Sequence, residues 1–183
     1  MTADDVVPDA SSCERPEQRL ARWVREHAAA VRGYLLGLVR RSDVADDLLQ
    51  EVFQRAWQAR DRYEDQGYER AFLVRIADRL VIDKSRRSRR EINLDEATWH
   101  EVEPTADDQS PLDDLHAAER NQELNTALDE LTLNQRRVLL MRYFSDLTFE
   151  QIAAELDCPL GTALSHCRRG LAAMRRLLTA NEK

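Results

Sequence analysis

The side chains best suited to reading nucleic acid lie near the C-terminus, in the stretch LDCPLGTALSHCRRG at residues 156–170. Arginine can donate two hydrogen bonds to guanine, and serine and threonine can bond either kind of base edge. At about 100° per residue, one face of a helix through this stretch carries such groups: Thr162, Ser165, His166, Arg168 and Arg169. The pattern predicts a DNA-reading helix, with a solvated arginine face as the simpler alternative.

The opposite arc of the same helix is apolar and is predicted to face the core. It holds Ala163, Leu164, Cys167, Gly170, Leu171, Met174, Leu177 and Leu178. Leu164 lies at the rim of this arc, where a leucine can either contact a thymine methyl or pack. The preceding segment begins with a capping box, Thr148 and Gln151, and a turn with Pro159 and Gly161 follows it. Together they predict a helix–turn–helix whose second helix is capped by Thr162.

A second candidate for nucleic-acid binding is a basic run in the middle of a chain whose net charge is −7. Residues 75–90 carry seven basic and two acidic side chains, whereas residues 91–119 carry ten acidic side chains and no lysine or arginine. Charge is therefore segregated, and the average conceals a stretch that can neutralise phosphates. A merely solvated basic surface remains the alternative.

Helical spacing dominates on both sides of the acidic stretch and predicts an all-α protein. The apolar positions of the first part are Leu20, Trp23, Val24, His27, Val31, Tyr34, Leu35, Leu38, Leu48, Leu49, Val52, Phe53 and Trp57, followed by a third helix from about 70 to 84 with Phe72, Leu73, Ile76, Leu80 and Val81 inward. Ser42 or Asp43 is the expected N-cap of the second helix, and Thr132 with Gln135 forms a capping box. We predict a flexible tail at 1–16, a helical module at 17–90, an acidic linker at 91–118 and a helix–turn–helix module at 119–183.

Several other classes of function are not favoured. No run approaches the ~20 apolar residues of a membrane span, and the N-terminus lacks the pattern of a secretory signal, so we expect a cytoplasmic protein. Three cysteines predict no disulfide framework, and the spacing of Cys158, His166 and Cys167 fits no common zinc pattern. No phosphate-binding glycine loop or nucleophile motif occurs. We therefore expect no catalytic residues, no metal and no cofactor.

Two ordered stretches resemble the bacterial RNA polymerase sigma factors of the extracytoplasmic-function (sigma-70-like) family. The first is DLLQEVF at 47–53, followed by RAFL at 70–73 and Ile82-Asp83 before the basic run. The second comprises LTLNQRRVLLMRYF at 131–144, IAAEL at 152–156 and PLGT at 159–162. The resemblance covers most of the chain, in order and spacing, and it implies a region-two-like helical bundle and a region-four-like helix–turn–helix.

This resemblance implies a transcription initiation factor that binds core RNA polymerase and directs it to promoters. Polymerase binding would fall on Asp46, Asp47, Gln50, Glu51 and Phe53, although Val52 beside them is more simply a core residue. Melting and holding of the minus-ten element would fall on Tyr68, Arg70, Phe72, Arg75, Arg79, Lys84, Arg86 and Arg87. Reading of the minus-thirty-five element would fall on Thr162, Ser165, His166, Arg168 and Arg169. An anti-sigma factor is a further implied partner, and membrane insertion is not.

The chain departs from the family pattern at positions that bear on promoter choice. The family often has lysine and arginine where this chain has Leu164 and His166, its usual tryptophan is Phe72, and its frequent asparagine is Arg79. The promoter sequence, the inducing signal and the role of Cys13 are therefore left open. Two rivals also remain at this point: a helix–turn–helix regulator that acts without polymerase, and an adaptor whose basic run binds an acidic protein.

Overall fold

A computed structural model describes residues 15–60, 63, 67–91 and 123–180. Most of the predicted tail, part of the loop before residue 67 and the linker from residue 92 lie outside the described residues. The described part contains seven helices and no strand. They are α1 (Pro16–Val39), α2 (Ser42–Gln58), α3 (Glu69–Glu91), α4 (123–129), α5 (Leu133–Phe144), α6 (Phe149–Glu155) and α7 (Leu160–Ala180). None of these helices is both long and apolar enough to cross a bilayer.

Helices α1, α2 and α3 pack pairwise against one another as a three-helix bundle. The apolar spacing of α1 buries one stripe, in which Trp23, Val31 and Leu35 are almost wholly inaccessible to solvent. Leu48 and Val52 of α2 and Leu73 and Leu80 of α3 complete the core, as their spacing predicts. Val24, one of the apolar positions with helical spacing, is 42% exposed, because the buried stripe passes to one side of it.

Helices α5, α6 and α7 form the helix–turn–helix. Both predicted capping boxes are present: Thr132 and Gln135 start α5, and Thr148 and Gln151 start α6. Leu139 of α5 lies against Gly170 of α7, where a Cβ atom would come within 2.8 Å of the leucine Cδ1. Because Gly170 has no side chain, α5 and α7 can approach each other this closely.

Two capping predictions are wrong. The N-cap of α2 is Arg41, whose carbonyl accepts from the Ala45 N–H, and Ser42 is already helical. Helix α7 begins at Leu160, because the carbonyl of Pro159 accepts from the N–H groups of Thr162 and Ala163. Thr162 therefore lies within the first turn of α7 and does not cap it.

The two halves of the chain are in direct contact. Helix α5 packs against α1 and, over a smaller area, against α3. Buried side chains of α5 and α6 belong to the same continuous core as those of α1 to α3. The acidic segment thus joins two helical parts that touch, rather than two parts held apart.

Candidate nucleic-acid interface

The predicted reading face of α7 is accessible mainly through its arginines. Arg168 and Arg169 are exposed, whereas Thr162, Ser165 and His166 are half-buried. The Arg169 Nε donates to the carbonyl of Ser165 at 3.3 Å, which directs its guanidinium along the N-terminal part of the helix. A short turn with Asp157 in the left-handed conformation (φ 49°) separates α6 from α7. The arrangement can present two cations and a few small polar groups to a DNA groove.

The apolar arc of α7 is narrower than the sequence predicts. Ala163 and Cys167 are buried, but Leu164 is 43% exposed and Leu171 is 53% exposed. The assignment of Leu171 to the core is therefore wrong, because α5 and α6 cover only one side of the helix. For Leu164 the sequence left both packing and contact with a thymine methyl open, and its exposure favours the contact. Leu164, beside Ser165 at the start of α7, becomes an additional candidate for contact with DNA. Its position at the rim of the arc is the signal that pointed to it.

Tyr68 offers a free aromatic face next to the start of α3. It is 56% exposed and follows Gly67, whose φ of 75° favours glycine. Phe72 is placed differently: its ring lies 4.8 Å from that of Tyr63 and 5.7 Å from that of Trp23, measured between centroids. Tyr68 is thus available for stacking on a base, whereas Phe72 closes the edge of the core.

A buried carboxylate that sequence reasoning missed fixes the start of α3. Glu69 accepts from both terminal nitrogens of Arg22, at 2.6 and 2.7 Å, and its Oε2 lies 3.4 Å from the His27 Nε2. Burial opposes ionisation of Glu69, but the hydrogen bonds from Arg22 and its neighbours outweigh it, so the pKa lies below its usual value. Glu26, His27 and Glu69 could together hold a metal ion, yet Arg22 already bonds both Glu69 oxygens. The partners of Glu69 are distant from it in the sequence, so no local pattern could have indicated its role.

The candidate phosphate-binding cations of α3 fall into two groups. Lys84, Arg86 and Arg87 are exposed on the C-terminal half of the helix. The other three are paired with acidic groups of the helix–turn–helix: Arg70 with Asp146 at 2.8 Å, and Arg75 and Arg79 with Glu155 at 3.3 and 3.1 Å. The second group is therefore engaged within the protein in this structure.

The candidate polymerase-docking residues lie on two sides of α2. Asp47 and Gln50 are exposed, and with Asp43, Gln54 and Gln58 they form an acidic and amide stripe at helical spacing. Asp43, Gln54 and Gln58 were missed, although their spacing of three and four could have indicated them. Asp46 is paired with Arg32 at 2.6 Å, and Glu51 with Arg55 at 2.7 Å.

Two further positions on α2, Phe53 and Val52, lie toward the core. Phe53 is half-buried and packs against the core, and Val52 is fully buried, as the simpler interpretation predicts. Glu51 also lines a shallow cavity between α2 and α3, together with Asp83, Lys84 and Arg87. The side of α2 that is open to a large partner is consequently the stripe of Asp47 and Gln50.

Comparison with known proteins gives matches to both halves of the chain. Residues 23–91 match the family model "Sigma-70 region 2", and residues 121–174 match "Sigma-70, region 4". The ECF RNA polymerase sigma factor SigL of Mycobacterium tuberculosis is 32% identical over 154 residues, which cover 84% of this chain and 85% of the relative. The ECF RNA polymerase sigma factor RpoE of Cereibacter sphaeroides is 28% identical over 163 residues, 88% of this chain and 87% of the relative.

A solved structure has a similar fold. It is that of the sigma factor RpoE of Bartonella quintana in complex with the anti-sigma factor NepR. The two chains are 24% identical, with a TM-score of 0.75 over 88% of this chain and 98% of the other.

Proposed function

This chain belongs to the extracytoplasmic-function family of RNA polymerase sigma factors, and we propose the surfaces through which it acts as one. It is a polymerase-associated transcription initiation factor. A regulator that acts without polymerase, the alternative considered from the sequence, is set aside because a region 2 match precedes the region 4 match in one chain. That order is the observation on which the function rests.

Core polymerase is proposed to bind the exposed stripe of α2. Asp47 and Gln50 supply acidic and amide groups that are free to meet a basic or polar partner surface. Asp46 and Glu51 flank this stripe and are held by Arg32 and Arg55. Phe53 supports the helix from the core side.

The minus-ten element is proposed to meet α3 along its length, from Tyr68 before its first turn to the cations of its C-terminal half. Tyr68 would stack on an unpaired base, and stacking is worth about 1–3 kcal/mol per base. Lys84, Arg86 and Arg87 would bind backbone phosphates, joined by Arg70, Arg75 and Arg79 once these are free. Phe72 would act indirectly, because it packs at the edge of the core and holds the start of α3 next to Tyr68 in place.

The minus-thirty-five element is proposed to meet the N-terminal half of α7. Arg168 and Arg169 would reach base edges or phosphates, and Thr162, Ser165 and His166 would contribute closer polar contacts. Leu164 would contact a thymine methyl. A helix–turn–helix docks in this way, N-terminal residues first in the major groove.

The remaining features of the proposal concern organisation and partners. Residues 17–90 would form the docking and melting module, 91–118 an acidic linker in the polymerase, and 119–183 the upstream-reading module. The protein would act in the cytoplasm, with no catalysis of its own. It would also be held by an anti-sigma factor, as RpoE of Bartonella quintana is in its solved complex.

Reconstituted transcription tests the proposal. The full chain should co-purify with core polymerase and support run-off transcription from promoters selected out of genomic DNA with that holoenzyme. Asp47→Arg should abolish both, whereas Glu17→Arg, the same charge reversal at an exposed position of α1, should leave both intact. If the Asp47 variant still co-purifies with core polymerase and still supports run-off transcription, the docking surface is rejected. An adaptor that binds an acidic protein would give no promoter-dependent transcript at all.

A further inference from the structure

We propose that Glu69 is a positioning residue for base capture: its ion pair with Arg22 of α1 holds Tyr68 in the orientation that stacks on an unpaired base. This inference rests on the proposed function, since it concerns the stacking role given there to Tyr68. Glu69 is only 8% exposed, too little to contact DNA itself. It therefore acts through the residue before it.

The backbone places Tyr68 at the entrance to α3. Its carbonyl accepts the first hydrogen bond of the helix, from the Phe72 N–H at 2.9 Å, and Glu69 is the first helical residue. Gly67, on the other side, has a left-handed conformation that favours glycine. The direction in which the exposed Tyr68 ring points consequently depends on how the first turn of α3 is held.

Arg22 and His27 of α1 hold that first turn through the Glu69 carboxylate. The two terminal nitrogens of Arg22 donate to different oxygens of Glu69, and the His27 Nε2 faces one of the same oxygens. A bidentate pair of this kind is strong and fixes the orientation of both groups. The carboxylate is also only 10% exposed, so solvent screens the pair weakly. The start of α3 cannot turn on α1 without breaking both hydrogen bonds.

Trp23, the next residue of α1, holds the chain on the other side of Tyr68. The Tyr63 ring meets the Trp23 ring edge-on, with 5.2 Å between centroids and 86° between planes. The Phe72 ring, one turn into α3, packs against both of them. Consecutive residues of α1 thus anchor the chain before Tyr68 and after it. Tyr68 is the exposed side chain between two fixed points.

Anchors of this kind matter because stacking depends on orientation. A base taken out of the duplex gives up its stacking in the helix, and the aromatic face that receives it must replace that contact. A ring already held in place loses less conformational freedom when the base arrives. An ion pair with a purely structural role would instead affect every DNA contact in proportion to the loss of folded protein. The two roles are therefore separable by measurement.

Holoenzyme reconstituted with full-chain variants provides that measurement on two DNA probes. One is a single-stranded oligonucleotide with the non-template minus-ten element of a promoter selected from genomic DNA, and the other is a duplex with its minus-thirty-five element alone. Tyr68→Ala should weaken binding of the single strand about 10-fold or more. Glu69→Gln should weaken it about 3- to 10-fold, since the ring remains but is no longer held. Both variants should bind the upstream duplex like the parent protein.

Two further variants give the control and an independent route. Glu26→Gln removes a partly exposed carboxylate 3.9 Å from the same Arg22 and should change binding of neither probe. Arg22→Gln breaks the ion pair from the side of α1 and should reproduce the effect of Glu69→Gln, should the Glu69 variant fold poorly. Equal weakening of both probes by these substitutions would identify a structural role and overturn the proposal.

A double-mutant cycle tests whether Glu69 acts through Tyr68. The variant Tyr68→Ala/Glu69→Gln should bind the single strand no more weakly than Tyr68→Ala alone, because the ring that Glu69 positions is already gone. Additive losses would overturn the proposal, since they would show that Glu69 acts on DNA binding by another path.

The same measurements separate this inference from the proposed function. If Tyr68→Ala weakens binding of the single strand but Glu69→Gln does not, the positioning role is wrong and the function stands. If Tyr68→Ala has no effect on the single strand, the stacking role in the proposed function is wrong, and the positioning role is rejected with it.

Discussion

At the scale of single residues, Arg169 is the most direct test of upstream reading. Arg169→Ala should cost about 1–3 kcal/mol in holoenzyme binding at one base position if the side chain reads a base edge. Binding to a series of single-base promoter variants measures this. Arg176→Ala, at an exposed site further along α7, is the control. A uniform loss over all variants would identify a phosphate contact.

Glu69 gives the protein a specific response to acid. Because its pKa is lower in the folded chain than in the unfolded one, its contribution to stability is complete above the unfolded pKa of about 4.3 and is lost as pH falls through the folded pKa. Glu69→Gln should lower the free energy of unfolding at neutral pH by about 1–3 kcal/mol and flatten its decline in acid. Urea unfolding across pH measures both.

The control for this prediction is Glu26→Gln, which removes a partly exposed carboxylate beside the same Arg22. A decline in acid that is as steep in the Glu69 variant as in the parent protein would contradict the role given to Glu69.

Residue types could be predicted from the sequence, but residue partners could not. The exposure of Arg168, Arg169, Arg86 and Arg87 follows from spacing alone. The pairing of Arg75 and Arg79 with Glu155 depends on α6 meeting α3, although Arg79 and Glu155 are 76 positions apart in the sequence. No local pattern carries that information.

At the scale of elements, the capping box of α6 should matter because the helix has only seven residues. Thr148→Ala should destabilise the protein by about 0.5–2 kcal/mol, since a backbone N–H would lose its acceptor. Thermal or urea unfolding measures the loss. Thr179→Ala, which removes an exposed hydroxyl near the end of α7, should have little effect. Equal losses would show that the cap is not important.

Helix starts were predicted well where both members of a capping box are present and poorly where a single side chain was the signal. Thr132 and Thr148 each have a glutamine three residues later and do cap their helices. Ser42 instead accepts from Arg32, at 2.8 Å, so its hydroxyl is used in a contact between α1 and α2. Thr162 is preceded by Pro159, whose carbonyl already starts the helix.

At the scale of the whole molecule, the exposed cations of α3 should govern the salt dependence of promoter binding. Replacement of Arg86 and Arg87 by glutamine should reduce the slope of log affinity against log salt by about 1.4–1.8, the value for two phosphate contacts. Titration at several salt concentrations measures the slope. Arg25→Gln, at an exposed position of α1, should leave it unchanged. An unaltered slope in the α3 variant would remove these residues from the interface.

The all-α fold and its family follow from the sequence because helical period and ordered motifs are local properties. The contact between the two halves does not, since Gly33 and Gly37 carry no hydrophobic signal of their own. The close approach of α5 to these glycines becomes visible only when Leu140 and Phe144 are in place.

Helices α1 and α5 belong to one polypeptide, and this has a consequence for any protein that binds the same face of α1. The contact between the two helices forms in a first-order event, so dilution does not weaken it, whereas a competing protein binds in a second-order event. Such a competitor must be abundant enough to overcome the high local concentration of α5. Occupancy of that face by a partner would therefore follow the supply of the partner and not the amount of this chain.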